Sequence, residues 1–258
     1  MNLSEIIQQS NYPLADPKFS ETCRQRLDHD GALVLPAFLT PTAIEQVVQE
    51  GIDKQSLAWY TGEKHNVYLR DSDPDYPDDH PRNKQIESSK GCITDDQISA
   101  NSPLRTLYDS KLFRDFLCQV LGEAQLYNYA DPLSSINLHY ASEGQELGWH
   151  FDNSSFAITL LIQKPKQGGS FEYVENMRNA DRGEMNYDGV ADVLAGRTEP
   201  KSLTIEPGAL VMFRGRNAIH RVTPTEDDRT RMLVVLAYNS QPGIAVSESA
   251  RMTFYGRL

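Results

Sequence analysis

A histidine and an aspartate separated by one residue, His150 and Asp152, lie in the segment GWHFDNSSFAITLLIQ. Because side chains alternate between the two faces of a β-strand, both point to the same side if this segment is extended. An imidazole and a carboxylate on one face are two ligands of the facial 2-His-1-carboxylate set that binds Fe(II) and leaves open coordination positions. The triplet alone also fits a metal-free hydrogen-bonded pair, so the assignment needs a third ligand.

The third ligand is predicted to be His220, in the segment FRGRNAIHRVTP, at the end of the apolar strand GALVMF. In a jelly roll, strands that are distant in sequence become neighbours. The long separation from Asp152 is therefore compatible with one site, and His150, Asp152 and His220 are the predicted metal-binding and catalytic residues.

An arginine that follows this histidine predicts an anion site. Arg231 opens the run RMLVVLAYNS, and Leu233, Val235 and Ala237 share its face of the predicted strand. A buried guanidinium needs an anionic partner, since an unpaired buried charge is very costly. A dicarboxylate such as 2-oxoglutarate would pair with it through two parallel hydrogen bonds. A structural salt bridge to Asp or Glu is the alternative, and Arg229, nearer the loop, is a rival anion-binding residue.

The elements that would position these residues are mostly short strands. From residue 125 the chain contains seven runs rich in β-branched and aromatic residues, separated by turn signals, which is typical of a sandwich or jelly roll. Before them, the sequence predicts a strand in DGALVLPAFL, a helix that begins with Thr40 and Pro41, and one or two helices between Ser102 and Gly122.

The predicted fold class is mainly β with helices (α+β): a double-stranded β-helix, or cupin-like jelly roll, buttressed by N-terminal helices. We expect one domain over residues 1–258, with the helical buttress and first strand in 1–124, the jelly roll in 125–240 and a tail in 241–258. Residues 71–81 hold five Asp and three Pro, which predicts an irregular segment, either a solvated loop or an active-site flap. Residues 176–200 form a polar insert.

Composition limits the partners. The 258 residues include 25 Lys and Arg against 36 Asp and Glu, a formal net charge of -11, which disfavours a nucleic acid partner. No apolar run has the length of a membrane span and no signal-peptide pattern is evident, so we expect no membrane partner. Three scattered cysteines indicate free thiols in the reducing cytoplasm. The expected partner is a small-molecule substrate, and the oligomeric state is not readable.

Together, HFD at 150–152, HRVTP at His220 and the Arg231 strand resemble the Fe(II)/2-oxoglutarate-dependent oxygenases. The resemblance covers roughly residues 30–240, and DGALVLPAFLTP also looks like the N-terminal strand and helix of many members. It implies Fe(II), 2-oxoglutarate as cosubstrate and O2, with His150, Asp152 and His220 as iron ligands and Arg231 binding the C5 carboxylate of 2-oxoglutarate.

Two further cofactor-binding residues are implied by the same resemblance. Arg82, in DDHPRN, lies in a segment similar to one that contributes a basic residue near the site. Tyr140 lies on the strand before His150, where related oxygenases place a tyrosine that contacts the cosubstrate. A surface arginine and a core tyrosine are the alternatives. Asn137 and His139 occupy the opposite face of the Tyr140 strand, so only one of these two sets can face inward.

A narrower similarity, carried by DDHPRN, LGWHFDNSSFAITLLIQ, GGSFEYV and FRGRNAIHRVTP, is to the radical halogenases of free lysine and their hydroxylating relatives. Those halogenases carry Gly where this chain has Asp152, and the vacancy accepts chloride. The resemblance therefore implies a hydroxylase acting on a free amino acid such as lysine, with the 71–81 loop and Asp131 as candidate partners for its amines. A radical halogenase, a demethylase on the same iron core and a non-catalytic cupin-like binding module are the alternatives.

Overall fold

A computed structural model describes residues 1–258 and contains eleven strands joined in one antiparallel sheet. The strands are β1 (Ala32–Leu35), β2 (Trp59–His65), β3 (Ile86–Ile93), β4 (Ile136–Ala141), β5 (Leu147–His150), β6 (Ala157–Gln163), β7 (Phe171–Val174), β8 (Lys201–Leu203), β9 (Leu210–Phe213), β10 (Ile219–Val222) and β11 (Arg231–Leu236).

The order of the strands is that of two sheets that meet at one shared strand. One half runs β1-β9-β6-β11-β4-β3, with β2 also paired to β3, and the other runs β5-β10-β7-β8. β3 joins the halves, because its C-terminal part pairs with β4 while Ser88 pairs with Leu147 of β5. This curled jelly roll confirms the predicted fold class.

Seven helices complete the chain: α1 (Leu3–Ile6), α2 (Pro17–Asp30), α3 (Pro41–Lys54), α4 (Pro103–Asp109), α5 (Lys111–Leu121), α6 (Tyr187–Leu194) and α7 (Glu248–Tyr255). The predicted caps form. The Thr40 side chain accepts the Ala43 amide, and Gly122, at φ 76°, ends α5 in the left-handed region that glycine tolerates best. No helix combines the length and the apolar character that crossing a lipid bilayer requires.

The main core lies between the N-terminal helices and one face of the larger half-sheet. It contains 35 buried residues, among them Phe113 and Phe116 of α5 and Met232 and Val234 of β11. α3 continues through Gly51, where a Cβ would lie 3.0 Å from the Leu138 and Met232 side chains. The small residue therefore lets the helix approach the sheet.

Some strands differ from the prediction. The hairpin β2–β3 lies in the N-terminal half, where we expected no strands after β1, while LYNYA (126–130) contributes only a single bridge, from Tyr127 to Asn239. His220 belongs to its own strand, β10, rather than to the end of β9. Residues 71–81 contain neither helix nor strand, as predicted, and the polar insert contains α6.

Candidate metal centre

The two predicted histidine ligands meet across one strand pair. β10 runs antiparallel to β5 with His220 opposite His150, and their ring centroids are 4.1 Å apart. Residues directly opposite in an antiparallel pair project to the same face. Strand register therefore brings both imidazoles into one site.

Asp152 lies two residues beyond β5, in extended chain held by backbone contacts. The Phe151 amide donates to the Val67 carbonyl at 2.8 Å, and the Asp152 amide donates to the Gly215 carbonyl at 3.1 Å. Asp152 Oδ1 lies 3.8 Å from His150 Nε2 and 3.5 Å from His220 Nε2. One potential ligand atom from each of the three residues falls within 4.8 Å of the others, so the structure brings the predicted triad together.

Hydrogen bonds to the backbone orient both imidazoles. His150 Nδ1 lies 2.8 Å from the Gly148 carbonyl oxygen, and His220 Nδ1 lies 3.0 Å from that of Ala218. Because a carbonyl oxygen only accepts, each Nδ1 donates to the backbone, and each Nε2 is the ring nitrogen that faces Asp152. This is the arrangement that fixes the tautomer of metal-binding histidines.

The charge states also suit a divalent cation. Burial, with His220 adding to it, lowers the pKa of His150 to about 3, so its ring is neutral at pH 7. Burial opposes ionisation of Asp152, but interactions with His220 and then His150 hold the pKa of this carboxyl below its usual value. At neutral pH the site therefore offers a free imidazole nitrogen and a carboxylate.

Two observations show that the site fits a metal ion. Asp152 Oδ2 is buried and has no hydrogen-bond partner, although unpaired buried oxygens are rare. Gly215 keeps space beside it, because a Cβ there would lie 1.9 Å from this oxygen and 2.9 Å from His220 Cε1. An oxygen, two imidazole nitrogens and a glycine-lined gap match a non-haem Fe(II) site.

Arg231 lies on the inner face of the larger half-sheet. It pairs with Ala141 of β4 and is 7% exposed, while the next residue, Met232, faces the helical core. Its guanidinium makes no ion pair with a protein carboxylate, and burial alone lowers its pKa to about 10. The structure thus rules out the salt-bridge alternative. It leaves a buried cation that a small anion could pair with.

Two contacts predicted from the sequence, those of Tyr140 and Asp131, are wrong. Tyr140, predicted to contact the cosubstrate, faces the helical core and donates its hydroxyl to the Gly51 carbonyl at 2.8 Å. The inward set on β4 is instead Asn137 and His139. Asp131 cannot serve an incoming amine, because its oxygens accept from the amides of Leu133 and Val246 and from the Ser134 hydroxyl.

Arg82 lies in the Asp-rich loop and not on the triad. Its Nε is 3.9 Å from Asp73 Oδ2, and its guanidinium lies 6.0 Å from the centre of the Tyr68 ring. The Tyr68 ring in turn stacks on Phe151 at 5.5 Å. An open groove of about 720 Å³ is lined by residues 69–75 and Arg82. Arg82 is thus separated from the Asp152 segment by the Tyr68 and Phe151 rings.

One supporting residue escaped the sequence reasoning. Arg178, from the polar insert, donates through Nε to the Arg216 carbonyl at 2.7 Å and through Nη2 to the Asp152 carbonyl at 3.3 Å. Its guanidinium lies 4.1 Å from the centre of the Phe151 ring. It therefore ties the Asp152 segment to the turn that leads to His220, and no local sequence signal marks it.

Solved structures share this fold. The carbocyclase SnoK from nogalamycin biosynthesis superposes with a TM-score of 0.59 at 13% identity, covering 92% of each chain. The epimerase SnoN from the same pathway gives 0.58 at 12% identity over 86% of this chain and 81% of that one. A Trichoplax adhaerens prolyl hydroxylase gives 0.56 at 11% identity over 90% of this chain and 91% of that one. No curated protein matches the sequence.

The chain thus shares its jelly-roll fold with solved 2-oxoglutarate-dependent non-haem iron enzymes, and within that fold His150, Asp152 and His220 form a group that could hold a metal ion. The model of the family described as "HalD: Halogenase D" matches residues 15–253. The chain belongs to this family.

Proposed function

We propose that this protein is an Fe(II)- and 2-oxoglutarate-dependent dioxygenase that hydroxylates an unactivated C–H bond of a small substrate, a free amino acid such as lysine. The observation that carries the proposal is the carboxylate of Asp152 within a complete three-ligand site, in a chain that belongs to a halogenase-like family. A carboxylate at this position occupies the place where a halogenase binds halide. Hydroxylation is therefore favoured over halogenation.

The residues of this chain would divide the work as follows. His150, Asp152 and His220 would hold the metal, and Arg231 would bind the distal carboxylate of 2-oxoglutarate through bidentate pairing. The rings of Phe213 and Phe171, at 4.8 and 5.6 Å from the His220 ring, exclude water from one side of that ligand.

Bound Fe(II) would couple the oxidative decarboxylation of 2-oxoglutarate by O2 to cleavage of the C–H bond. The balanced reaction converts R–H, 2-oxoglutarate and O2 into R–OH, succinate and CO2. The contribution of the protein is ligand geometry and placement of the target carbon. Placement decides selectivity because the oxidant itself discriminates little between C–H bonds.

The amino-acid substrate is supported by the acidic loop and by the family. Residues 71–81 carry five Asp, and Asp71, Asp73 and Asp75 line the 720 Å³ groove together with Arg70 and Arg82. Such a surface offers carboxylates to the amines of an amino acid. Three free cysteines support a cytoplasmic location.

Succinate formation tests this proposal. Reconstituted protein with Fe(II), 2-oxoglutarate and air should form succinate above background with at least one free amino acid, accompanied by a product 16 Da heavier. Asp152→Ala should abolish both. If no free amino acid raises succinate, the substrate proposal fails.

Halogenation is the second candidate, and the family match is the observation that favours it. It requires an open iron position for halide, which Asp152 fills. Product analysis by mass spectrometry in chloride and in bromide separates the two reactions. A chlorinated or brominated product from the unaltered protein would replace hydroxylation.

A further inference from the structure

Lys90 lies on the inner face of the sheet, at the point where β3 leaves β4 and joins β5. Its neighbours on β3 fix the direction of its side chain. Gly91 pairs with Tyr140, which faces the helices, and Cys92 pairs with His139, which faces inward. Since faces alternate along a strand, Lys90 projects to the inner side with His139.

Arg231 belongs to the same inner surface. It pairs with Ala141, the residue after Tyr140, so it also faces inward. Continuing the β3–β4 register places Lys90 beside Ala141 as well. Lys90 and Arg231 therefore lie on either side of Ala141, and their backbones are two strand spacings, or about 10 Å, apart.

Lys90 has no anionic partner in the protein. No carboxylate oxygen lies within ion-pair distance of its ammonium group. Its Nζ lies 5.9 Å from the centre of the Phe254 ring of α7. The other lysines are paired with a carboxylate, as are Lys54 and Lys64, or exposed, as are Lys18 and Lys84. An unpaired, partly buried lysine is unexpected in a chain of net charge -11.

The charged and titratable groups around Lys90 leave it as a free cation. Burial lowers the pKa of Lys90, while Cys92, Glu63 and Asp152 act in the opposite direction. Burial, with Lys90 and Arg231 adding to it, holds the pKa of His139 well below its usual value, so His139 is neutral. Glu63, opposite Ser88 in β2, also lies on this face and makes no ion pair with Lys90.

Matching each carboxylate to a cation of the site indicates which ligand Lys90 binds. In the proposed reaction, 2-oxoglutarate places one carboxylate at the metal and the other at Arg231. Neither carboxylate remains for Lys90. We propose that Lys90 binds the carboxylate of the substrate, which is therefore a carboxylate-bearing small molecule held between this lysine and the metal centre. This inference rests on the proposed oxygenase function and adds the residue that binds the carboxylate of its substrate.

The direct test reads the lysine itself. The lysines of Zn(II)-loaded protein are reductively methylated with 13C, and the Lys90 resonance is assigned by its absence in K90R. With 2-oxoglutarate saturating, acetate and L-lysine should shift this resonance saturably, and pentane-1,5-diamine, which lacks the carboxylate, should not. The proposal is overturned if 2-oxoglutarate alone shifts the Lys90 resonance and acetate has no further effect. It is also overturned if neither acetate nor L-lysine shifts the resonance.

A substitution gives an independent reading. L-lysine changes the visible band of the Fe(II)–2-oxoglutarate chelate, and its half-saturating concentration for this change should rise about tenfold or more in K90M. This is the effect expected from the loss of one charge-assisted hydrogen bond. K90M should change the 2-oxoglutarate requirement by less than about twofold, and K64M, at an exposed lysine, should change neither. An unchanged L-lysine response in K90M contradicts the inference. If no free amino acid yields succinate while acetate still shifts the Lys90 resonance, the amino-acid proposal fails and the carboxylate site stands.

Discussion

Replacing Arg231 with methionine should stabilise the ligand-free protein while abolishing its response to 2-oxoglutarate. The arginine is 7% exposed and has no carboxylate partner. Burial lowers its pKa from 12.5 to about 10, a difference that corresponds to about 3 kcal/mol of desolvation. Methionine keeps much of the aliphatic volume without the charge, so we expect Arg231→Met to raise the free energy of unfolding by about 1–3 kcal/mol.

The ligand-bound state should show the reverse. Two charge-assisted hydrogen bonds to a carboxylate contribute about 1.5–3 kcal/mol each, so their loss should weaken 2-oxoglutarate binding by about 100-fold or more. Urea unfolding of the Zn(II)-loaded protein, with and without 2-oxoglutarate, measures both effects. The unaltered protein should gain stability with the concentration of 2-oxoglutarate, and Arg231→Met should not.

Arg229→Met is the matched control, because Arg229 is two residues away, exposed, and the rival anion-binding residue of the sequence analysis. It should change neither stability nor 2-oxoglutarate binding. An Arg231→Met variant that is less stable without ligand, and that still gains stability from 2-oxoglutarate, would refute the reasoning.

Three other substitutions test the surroundings of the site. Gly215→Ala places a Cβ 1.9 Å from Asp152 Oδ2 and should weaken Fe(II) binding at least about tenfold in anaerobic dialysis; normal affinity would contradict the glycine-lined gap. Arg178→Met removes the donor to the Asp152 carbonyl and should weaken Fe(II) binding about 10–100-fold, while the exposed control Arg182→Met should not; equal affinities would remove Arg178 from a positioning role. His139 is neutral in the folded protein and protonates below about pH 6.5 in the unfolded chain, so the free energy of unfolding decreases as the pH falls through that value. His139→Gln should reduce the dependence of this free energy on pH by up to about 1.4 kcal/mol per pH unit in urea titrations. An unchanged pH dependence would contradict a neutral imidazole at this position.

The metal triad was predictable because strand alternation is a local rule. His150 and Asp152 face the same side, and the intervening Phe151 enters a separate apolar cluster on the outer side of β5. The rule holds even though β5 ends at His150, because backbone hydrogen bonds keep the next two residues extended. The pairing of His220 with His150 required only that the fold be a jelly roll.

The orientation of β4 was not predictable from its own residues. Alternation separates Tyr140 from Asn137 and His139, but it does not say which face the helices cover. Tyr140 faces the helices because α3 lies over it and Gly51 offers a carbonyl oxygen at 2.8 Å. That contact joins residues far apart in sequence, and a strand pattern carries no information about it.

The polar strands β2 and β3 and the contacts of the insert were also not predictable from the sequence. Only the ends of the β2–β3 hairpin have the composition of a strand, because GEKH and ESSKG lack the β-branched and aromatic residues that indicate one. These residues pair because β4 and β5 supply partners for β3, which in turn pairs with β2. Arg178 reaches the metal centre only through the tertiary path of the insert, so neither it nor Lys90 stood out before the fold was known.

Anaerobic addition of Fe(II) and 2-oxoglutarate, followed in the visible spectrum, tests the central claim most directly. The account predicts a weak charge-transfer band that saturates at one equivalent of each component and disappears in His220→Ala. Absence of the band in the unaltered protein, or a band of equal strength in His220→Ala, would contradict the assignment of these two imidazoles and one carboxylate as an iron site.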